Sequence, residues 1–286
     1  MTAQENQNKV VALVDGSNSM HRYFHAFNNF TSVDGIPTGA LYGTIKALNN
    51  LQSEYQPDVV IFFTDYSRKS FRTDLYPEYK GNRNETDPNL RLQFQLMEEF
   101  CELSGLLCCK QENYEADDLI GSYARTYADN GYEVLVFSGD KDLFQLIDDE
   151  KNIRLVYTST KEGNVIYDNA KCEEKFGLNP KQIIDLKGIC GDASDNYKGV
   201  PGVGEKTAVK LLKEFGSLDG IYENIDNLKG KIKDKFAENK EDAYLCLKLA
   251  TIDCNIEGLV LPDKSFMQLN EDVRKFLKEK YSISHV

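Results

Sequence analysis

Carboxylates are the side chains of this sequence best placed to do chemistry. Asp15, Asp65, Asp140 and Asp142 each follow a short apolar run, and Glu115, Asp117 and Asp118 open a helical pattern. Glu115 and Asp118 are three apart and share a helix face, and acids in a first turn suit the helix dipole. Taken singly, each acid reads as well as a turn former or a helix cap. Seven at one edge do not, because crowded like charges repel and some would stay protonated without a counter-charge. A divalent cation is the natural counter-charge, and all-oxygen donors select Mg²⁺ or Mn²⁺ over zinc or copper. Such a site suits two-metal phosphoryl chemistry. Histidine offers no rival, since there are three and His285 is next to last in the chain.

The apolar runs explain why these acids would meet. VVALV at 10–14, VVIFFT at 59–64, EVLVFS at 133–138 and IRLVYT at 153–158 predict strands covered on both faces, with a weaker one at 106–110. Helical patterns at 38–55, 89–103 and 115–130, and a short one from 141, alternate with them. That alternation predicts an α/β fold with a mostly parallel central sheet and flanking helices. In open parallel sheets, ligands bind outside the carboxyl ends of the strands, which is where these acids fall. Beyond about residue 177 the strand signal stops, and Asn179-Pro180 starts a helical module that runs to about residue 250.

Inside that module, KGVPGVGEKTAVKLLK at 198–213 reads as a glycine hairpin opening an amphipathic helix. It is not a nucleotide-binding loop. Glu205 stands where a Walker lysine would directly follow the glycine, no strand precedes it, and Gly202 and Gly204 lack a third partner. Glycines let backbone N–H groups face outward at a helix start and hold phosphate. Four lysines against one glutamate make this stretch locally basic, the signature of a helix–hairpin–helix that grips a DNA backbone. Just before it, Asp192 and Asp195 could reach from the module into the acidic crevice. A second basic patch holds Arg68, Lys69, Arg72, Lys80 and Arg83, interleaved with Phe71, Tyr76 and Tyr79, on which bases can stack.

Overall composition sets the frame. The 286 residues carry a net charge of −12, which by itself argues against a nucleic-acid partner. Acids gathered in one crevice account for most of that excess and leave the positive charge in two patches. The hydrophobic fraction of 41% is that of a globular chain, and no apolar stretch is long enough to span a membrane. The polar start is unlike a signal peptide. Seven cysteines with no CxxC pair fit neither a disulfide framework nor a zinc site, so they read as buried small hydrophobes in a reducing cytoplasm.

Assembled, these stretches resemble the 5′-nuclease superfamily, which includes the 5′–3′ exonuclease domain of bacterial DNA polymerase I, phage 5′-exonucleases and flap endonucleases. The resemblance rests on VDGSN (14–18), PTGALYG (37–43), FTD and FR (63–65, 71–72), LYPEYKGNR (75–83), EADD (115–118), SGDKD (138–142), GDASDN (191–196) and GVPGVGEKTA (199–208). They occur in family order from residue 10 to about 255. The resemblance implies a PIN-like nuclease core at 1–178 with a helical arch at about 68–90, and a helix–hairpin–helix module at 179–255. It assigns no role to 256–286. It implies hydrolysis of phosphodiesters in 5′-ended or branched DNA, during replication or repair, with two Mg²⁺ or Mn²⁺ ions.

Residue by residue, it implies metal ligation by Asp15, Asp65, Glu115, Asp117, Asp118, Asp140, Asp142, Asp192 and Asp195. Lys80, Arg83 and, more weakly, Arg72 match residues that contact the scissile phosphate. His21, Arg22, Lys187, Lys198, Lys206 and the Gly202–Gly204 backbone match DNA contacts, with Tyr79 added from its place in the basic aromatic patch, and a K⁺ ion is expected at the hairpin near Val200 and Val203. Also expected is a stand-alone, monomeric, cytoplasmic enzyme of a bacterial or phage-infected cell. Its substrate would be a 5′-flap, nicked or 5′-overhang duplex, with an RNA-primed strand left open. Two alternatives stay open at this point, a DNA-structure binder without chemistry and a PIN-type ribonuclease. If the acids share one site, neutralising Asp117 or Asp118 should stabilise the metal-free protein.

Overall fold

Residues 11–15 of the first strand and all of the second are buried, as continuous apolar runs require when both faces of a sheet are covered. The structure, a computed structural model, describes residues 9–159 and 163–286. Its six strands are β1 (Val10–Asp15), β2 (Val59–Phe63), β3 (Leu107–Cys109), β4 (Glu133–Ser138), β5 (Ile153–Ser159) and β6 (Gly163–Tyr167). They form one sheet in the order β3-β2-β1-β4-β5-β6, with every pairing parallel except β5 with β6.

The connections are helical. After β1 come α1 (Gly16–Ala26) and α2 (Gly39–Tyr55); after β2, α3 (Phe71–Leu75) and α4 (Pro88–Ser104); after β3, α5 (Ala116–Asp129). Alternate strand residues feed two cores. Val11, Leu13, Ile61, Phe63, Val134 and Val136 pack against Leu119, Ile120 and Tyr123 of α5. Ala12, Val14, Val60, Phe62, Leu135 and Phe137 face α2 and α4, meeting Leu41, Ile45, Met97 and Phe100. The chain leaves β1 toward β2 and β3, then returns to lay β4 on the other side of β1. The carboxyl ends of β1 and β4 therefore flank the point where strand order reverses, the usual place for a ligand crevice.

After β6 come α6 (Asn169–Phe176), α7 (Gln182–Cys190), α8 (Glu205–Phe215), α9 (Leu218–Glu223), α10 (Lys231–Glu238) and α11 (Lys240–Ala250). Most of them share a third core that includes Ile189, Val200, Ala208, Leu212, Ile221 and Phe236. Two glycines make the hairpin before α8 feasible. Gly191 and Gly199 both have positive φ, and a Cβ on Gly199 would lie 2.4 Å from the Gly191 nitrogen.

Several elements differ from expectation. α1 has no apolar period to read, because only Gly16, Ser19 and Met20 of its residues are buried. β6 went unread because it is a short, half-exposed edge strand. The stretch at 68–90 is not one continuous helix: it holds the five-residue α3, turns through 76–87 with Pro77 and Gly81, and ends on the first residues of α4. The turns lie against 193–196: Asn82 Nδ2 donates to the Ala193 carbonyl at 2.8 Å, and Asn196 Nδ2 donates to the Glu78 carbonyl at 2.8 Å. The C-terminal segment also acquires a role. Ser265 lies beside β2, where its Oγ donates to the Val60 carbonyl and accepts the Leu107 N–H. A last helix, α12 (Glu271–Tyr281), buries Val273, Leu277 and Tyr281 in the second core.

Candidate active site

Asp15 ends β1 and caps α1, and both roles hold its carboxylate still. Oδ1 accepts the Asn18 N–H at 2.9 Å, and Oδ2 accepts the Ser138 hydroxyl at 2.6 Å. Asn18 Oδ1 accepts the Gly139 N–H, Ser138 Oγ accepts the Asp140 N–H, and Asp140 Oδ1 accepts the Asp142 N–H. The ends of β1 and β4 are thereby laced together. Asp65, just past β2, is tied in from the other side: its N–H reaches Ser17 Oγ, and its Oδ1 accepts the Ala116 N–H at the start of α5. Glu115 precedes that helix and receives the Ser70 hydroxyl, the Tyr79 hydroxyl and Lys80 Nζ, the last at 2.8 Å.

Around these groups lies a cavity of about 280 Å³, lined by Asp15, Asp65, Glu115, Asp117, Asp140, Asp142 and Asp195 with His21, Lys80 and Arg83. An adjoining cavity of about 330 Å³ shares Asp140, Asp142 and Asp195 and adds Lys187 and Asp192. Carboxylate oxygens of Asp142, Asp192 and Asp195 come within 4.8 Å of one another. The acids thus lie in two touching chambers, with Asp140 and Asp142 between them.

The electrostatics record the crowding. Burial, then Asp140 and Asp65, push Asp15 up to about 7 against its two hydrogen bonds. Burial and the neighbouring Asp15 and Asp140 push Asp117 well above the carboxylate range, and among the described residues it has no hydrogen-bond or ion-pair partner. Burial with Asp140 raises Asp142 to about 6, although Lys187 opposes the shift. Glu115 goes the other way: burial would raise it, but Lys80, Arg72 and Ser70 hold it below its ordinary value. A buried all-oxygen pocket whose acids resist ionising as a group demands positive charge, so its donor set fits hard divalent cations.

Four expected site residues do other work. Asp118 is fully buried and lines neither cavity. Both of its oxygens are taken by Arg72 at 2.7 Å and by the backbone N–H groups of Glu115 and Asp253. It has no lone pair directed at the crevice and is not a ligand there. Arg72, 2% exposed, borders the first cavity, but it gives two donors to Asp118 and two to the Leu249 and Thr251 carbonyls, so it braces α5 against the end of α11. Tyr79 is buried at the cavity wall: its hydroxyl joins Glu115 to Asp195, and its ring stacks on Tyr197 and meets Lys80 Nζ 5.1 Å from its centroid, so it is not a free platform for a base. Lys187 lines the second chamber, 2.5 Å from Asp142 Oδ1 and paired with Asp192.

The other expected residues are differently disposed. Arg83 reaches Asp195 at 2.5 Å from the crevice mouth. His21 lines the cavity edge beside Phe94, while Arg22 is anchored to the Thr158 carbonyl. Lys198, Gly202, Gly204 and Lys206 are exposed on the hairpin, and Val200 and Val203 are buried beneath it. Sequence reasoning missed Ser17, Asn18, Ser70 and Ser138, which orient the acids. Three of them adjoin an acid or lie within three residues of one in the VDGSN and SGDKD stretches, and that adjacency was the available signal.

Comparison with known proteins follows the same outline. Residues 10–177 match the family model described as 5′-3′ exonuclease, N-terminal resolvase-like domain, and residues 178–272 match 5′-3′ exonuclease, C-terminal SAM fold. The chain is 35% identical over 281 residues to the 5′-3′ exonuclease of Buchnera aphidicola subsp. Schizaphis graminum, covering 93% of this chain and 96% of that one. It is 41% identical over 248 residues to DNA polymerase I of Bacillus caldotenax, covering 85% of this chain but only 28% of that protein, so it spans under a third of such polymerases. A solved structure of T5 5′-exonuclease with bound divalent zinc superimposes with a TM-score of 0.70 at 26% identity, over 86% of this chain and 90% of that one.

Proposed function

The chain belongs to the 5′-3′ exonuclease family, and on that premise we propose that it is a metal-dependent, structure-specific 5′ nuclease acting on DNA. The observation that carries this reading is the convergence of acids from β1, β2, α5, β4 and the 191–196 loop on one pair of cavities beneath a basic segment. Asp15, Asp65, Glu115, Asp117 and Asp140 would hold one Mg²⁺ or Mn²⁺, and Asp140, Asp142, Asp192 and Asp195 the other. When bound, such a pair supplies an activated water and neutralises charge on the reacting phosphate.

The chain's own residues then have separable tasks. Ser138, Asn18 and Ser70 fix the carboxylates before any cation arrives, so little reorganisation is left for the reaction itself. Lys80 and Arg83 carry positive charge at the mouth through which a phosphate must come, and they would offset charge growing on it. The exposed hairpin lysines Lys198 and Lys206 would hold the duplex by its backbone, reading shape and not sequence. A duplex held there would leave the scissile 5′ strand to reach the acids.

Cleavage of a 5′-flap duplex tests the reading directly. Turnover should require Mg²⁺ or Mn²⁺, stop with EDTA, and stop in Asp140→Asn while duplex binding persists. Equal turnover with EDTA and with Mg²⁺ would overturn it. Running flap, nicked, 5′-overhang and RNA-primed duplexes in parallel ranks the substrates, and a blocked 5′ end separates exonuclease from flap activity.

A further inference from the structure

The hairpin before α8 already has a cation resting on it. Lys235 reaches across from α10, and its Nζ donates to the Gly202 carbonyl at 2.8 Å. Gly202 makes this approach possible: a Cβ at that position would stand 2.5 Å from the same ammonium. The root of Lys235 is rigid, because the adjacent Phe236 is wholly buried and its carbonyl accepts the Tyr222 hydroxyl. Phe236 shares its apolar cluster with Val200 and Val203, so α10 and the underside of the hairpin pack in one core. A lysine stem is normally free to rotate; here its head is held at the surface of the turn by one hydrogen bond.

A potassium ion at this hairpin fits poorly. The Val200 carbonyl accepts the Val203 N–H at 3.1 Å and the Gly202 carbonyl accepts Lys235, so each has one lone pair already engaged from within the chain. A second monovalent cation at the same carbonyl would be repelled by the ammonium. We propose that Lys235 is a tethered cation of the hairpin, taking the place of a bound monovalent ion and engaging a backbone phosphate of duplex DNA alongside the exposed Gly202, Gly204, Lys198 and Lys206. This rests on the reading of the helical module as the duplex grip.

The test is binding of a labelled 5′-flap duplex, followed by fluorescence anisotropy in EDTA so that no cleavage intervenes. Salt is varied as potassium, sodium or tetramethylammonium chloride. Wild-type protein should bind equally in all three at matched ionic strength. Lys235→Met should bind about five- to tenfold more weakly at 0.1 M salt, with a log–log salt slope smaller by about one. It should also bind more tightly in potassium than in tetramethylammonium, because the vacated turn is open to a free ion. Lys235→Arg should behave as wild type, and Lys235→Gln with a wild-type melting curve separates lost charge from lost folding. Wild-type protein that needs potassium, or neutral variants with wild-type affinity and slope, would overturn the inference alone. Wild-type protein that binds no duplex would overturn the grip and this inference together.

Discussion

Neighbouring acids in one helical turn should respond oppositely to the same substitution. Asp118→Asn leaves the Arg72 guanidinium in a site 2% exposed with a neutral partner, and it weakens the hold on Arg72, whose other donors reach the Leu249 and Thr251 carbonyls. Removing one member of a buried, hydrogen-bonded ion pair costs about 3–5 kcal/mol. At about 2–4 °C per kcal/mol for a domain of 150–250 residues, the melting temperature should fall by roughly 6–20 °C. Because Asp118 faces Arg72 and not the cavities, that loss should be the same in EDTA and in Mg²⁺, and the stabilisation gained on adding Mg²⁺ should persist. Asp117→Asn removes a partnerless acid that Asp15 and Asp140 repel. It should raise the metal-free melting temperature and shrink the Mg²⁺-induced rise, since binding stabilises by RT ln(1+[L]/Kd) and a ligand has gone. Differential scanning fluorimetry of both variants, with and without Mg²⁺, decides the matter. A stabilised Asp118→Asn protein, or one that loses its Mg²⁺ response, would refute the assignment of that residue to the Arg72 brace.

The metal-free protein should be pH-sensitive in a defined sense. Asp15, pushed up to about 7, keeps its proton in the fold where the unfolded chain has lost it, so stability falls as pH rises from about 4 to about 7, by up to about 4 kcal/mol. Urea unfolding in EDTA at pH 5 and pH 8 checks this, and equal or greater stability at pH 8 contradicts it. Mg²⁺ should restore the loss at pH 8. Lys80→Ala and Arg83→Ala should each cut turnover on a flap by about 10²–10³ with a much smaller loss of duplex binding, and rates within about threefold of wild type would remove both from the reaction. In α12, Leu277→Ala empties a wholly buried site in the second core and should cost about 2–5 kcal/mol by urea denaturation, with turnover of the folded protein unchanged. An unaffected midpoint would mean that the C-terminal segment does not hold the sheet.

The sheet and the position of its acids were legible because both are local facts. β1, β2 and β4 are unbroken apolar runs, each followed at once by polar turn residues, so Asp15, Asp65 and Asp140 fall where parallel strands must end. The hairpin was legible for the same reason, since its glycines answer to backbone angles set within a few residues. What each charged side chain faces was not local. A helix turns by about 100° per residue, so Asp117 looks into the crevice while Asp118 looks toward Arg72, 46 residues upstream. Likewise Lys187 follows from how α7 sits against the short helical turn at Asp142–Leu146, and Tyr79 from how the turns at 76–83 fold onto 193–196. Residue type and spacing announce that acids and bases are available in quantity; only packing decides which acid keeps a base for itself and which is left for a metal, because that choice depends on distances between segments far apart in the chain.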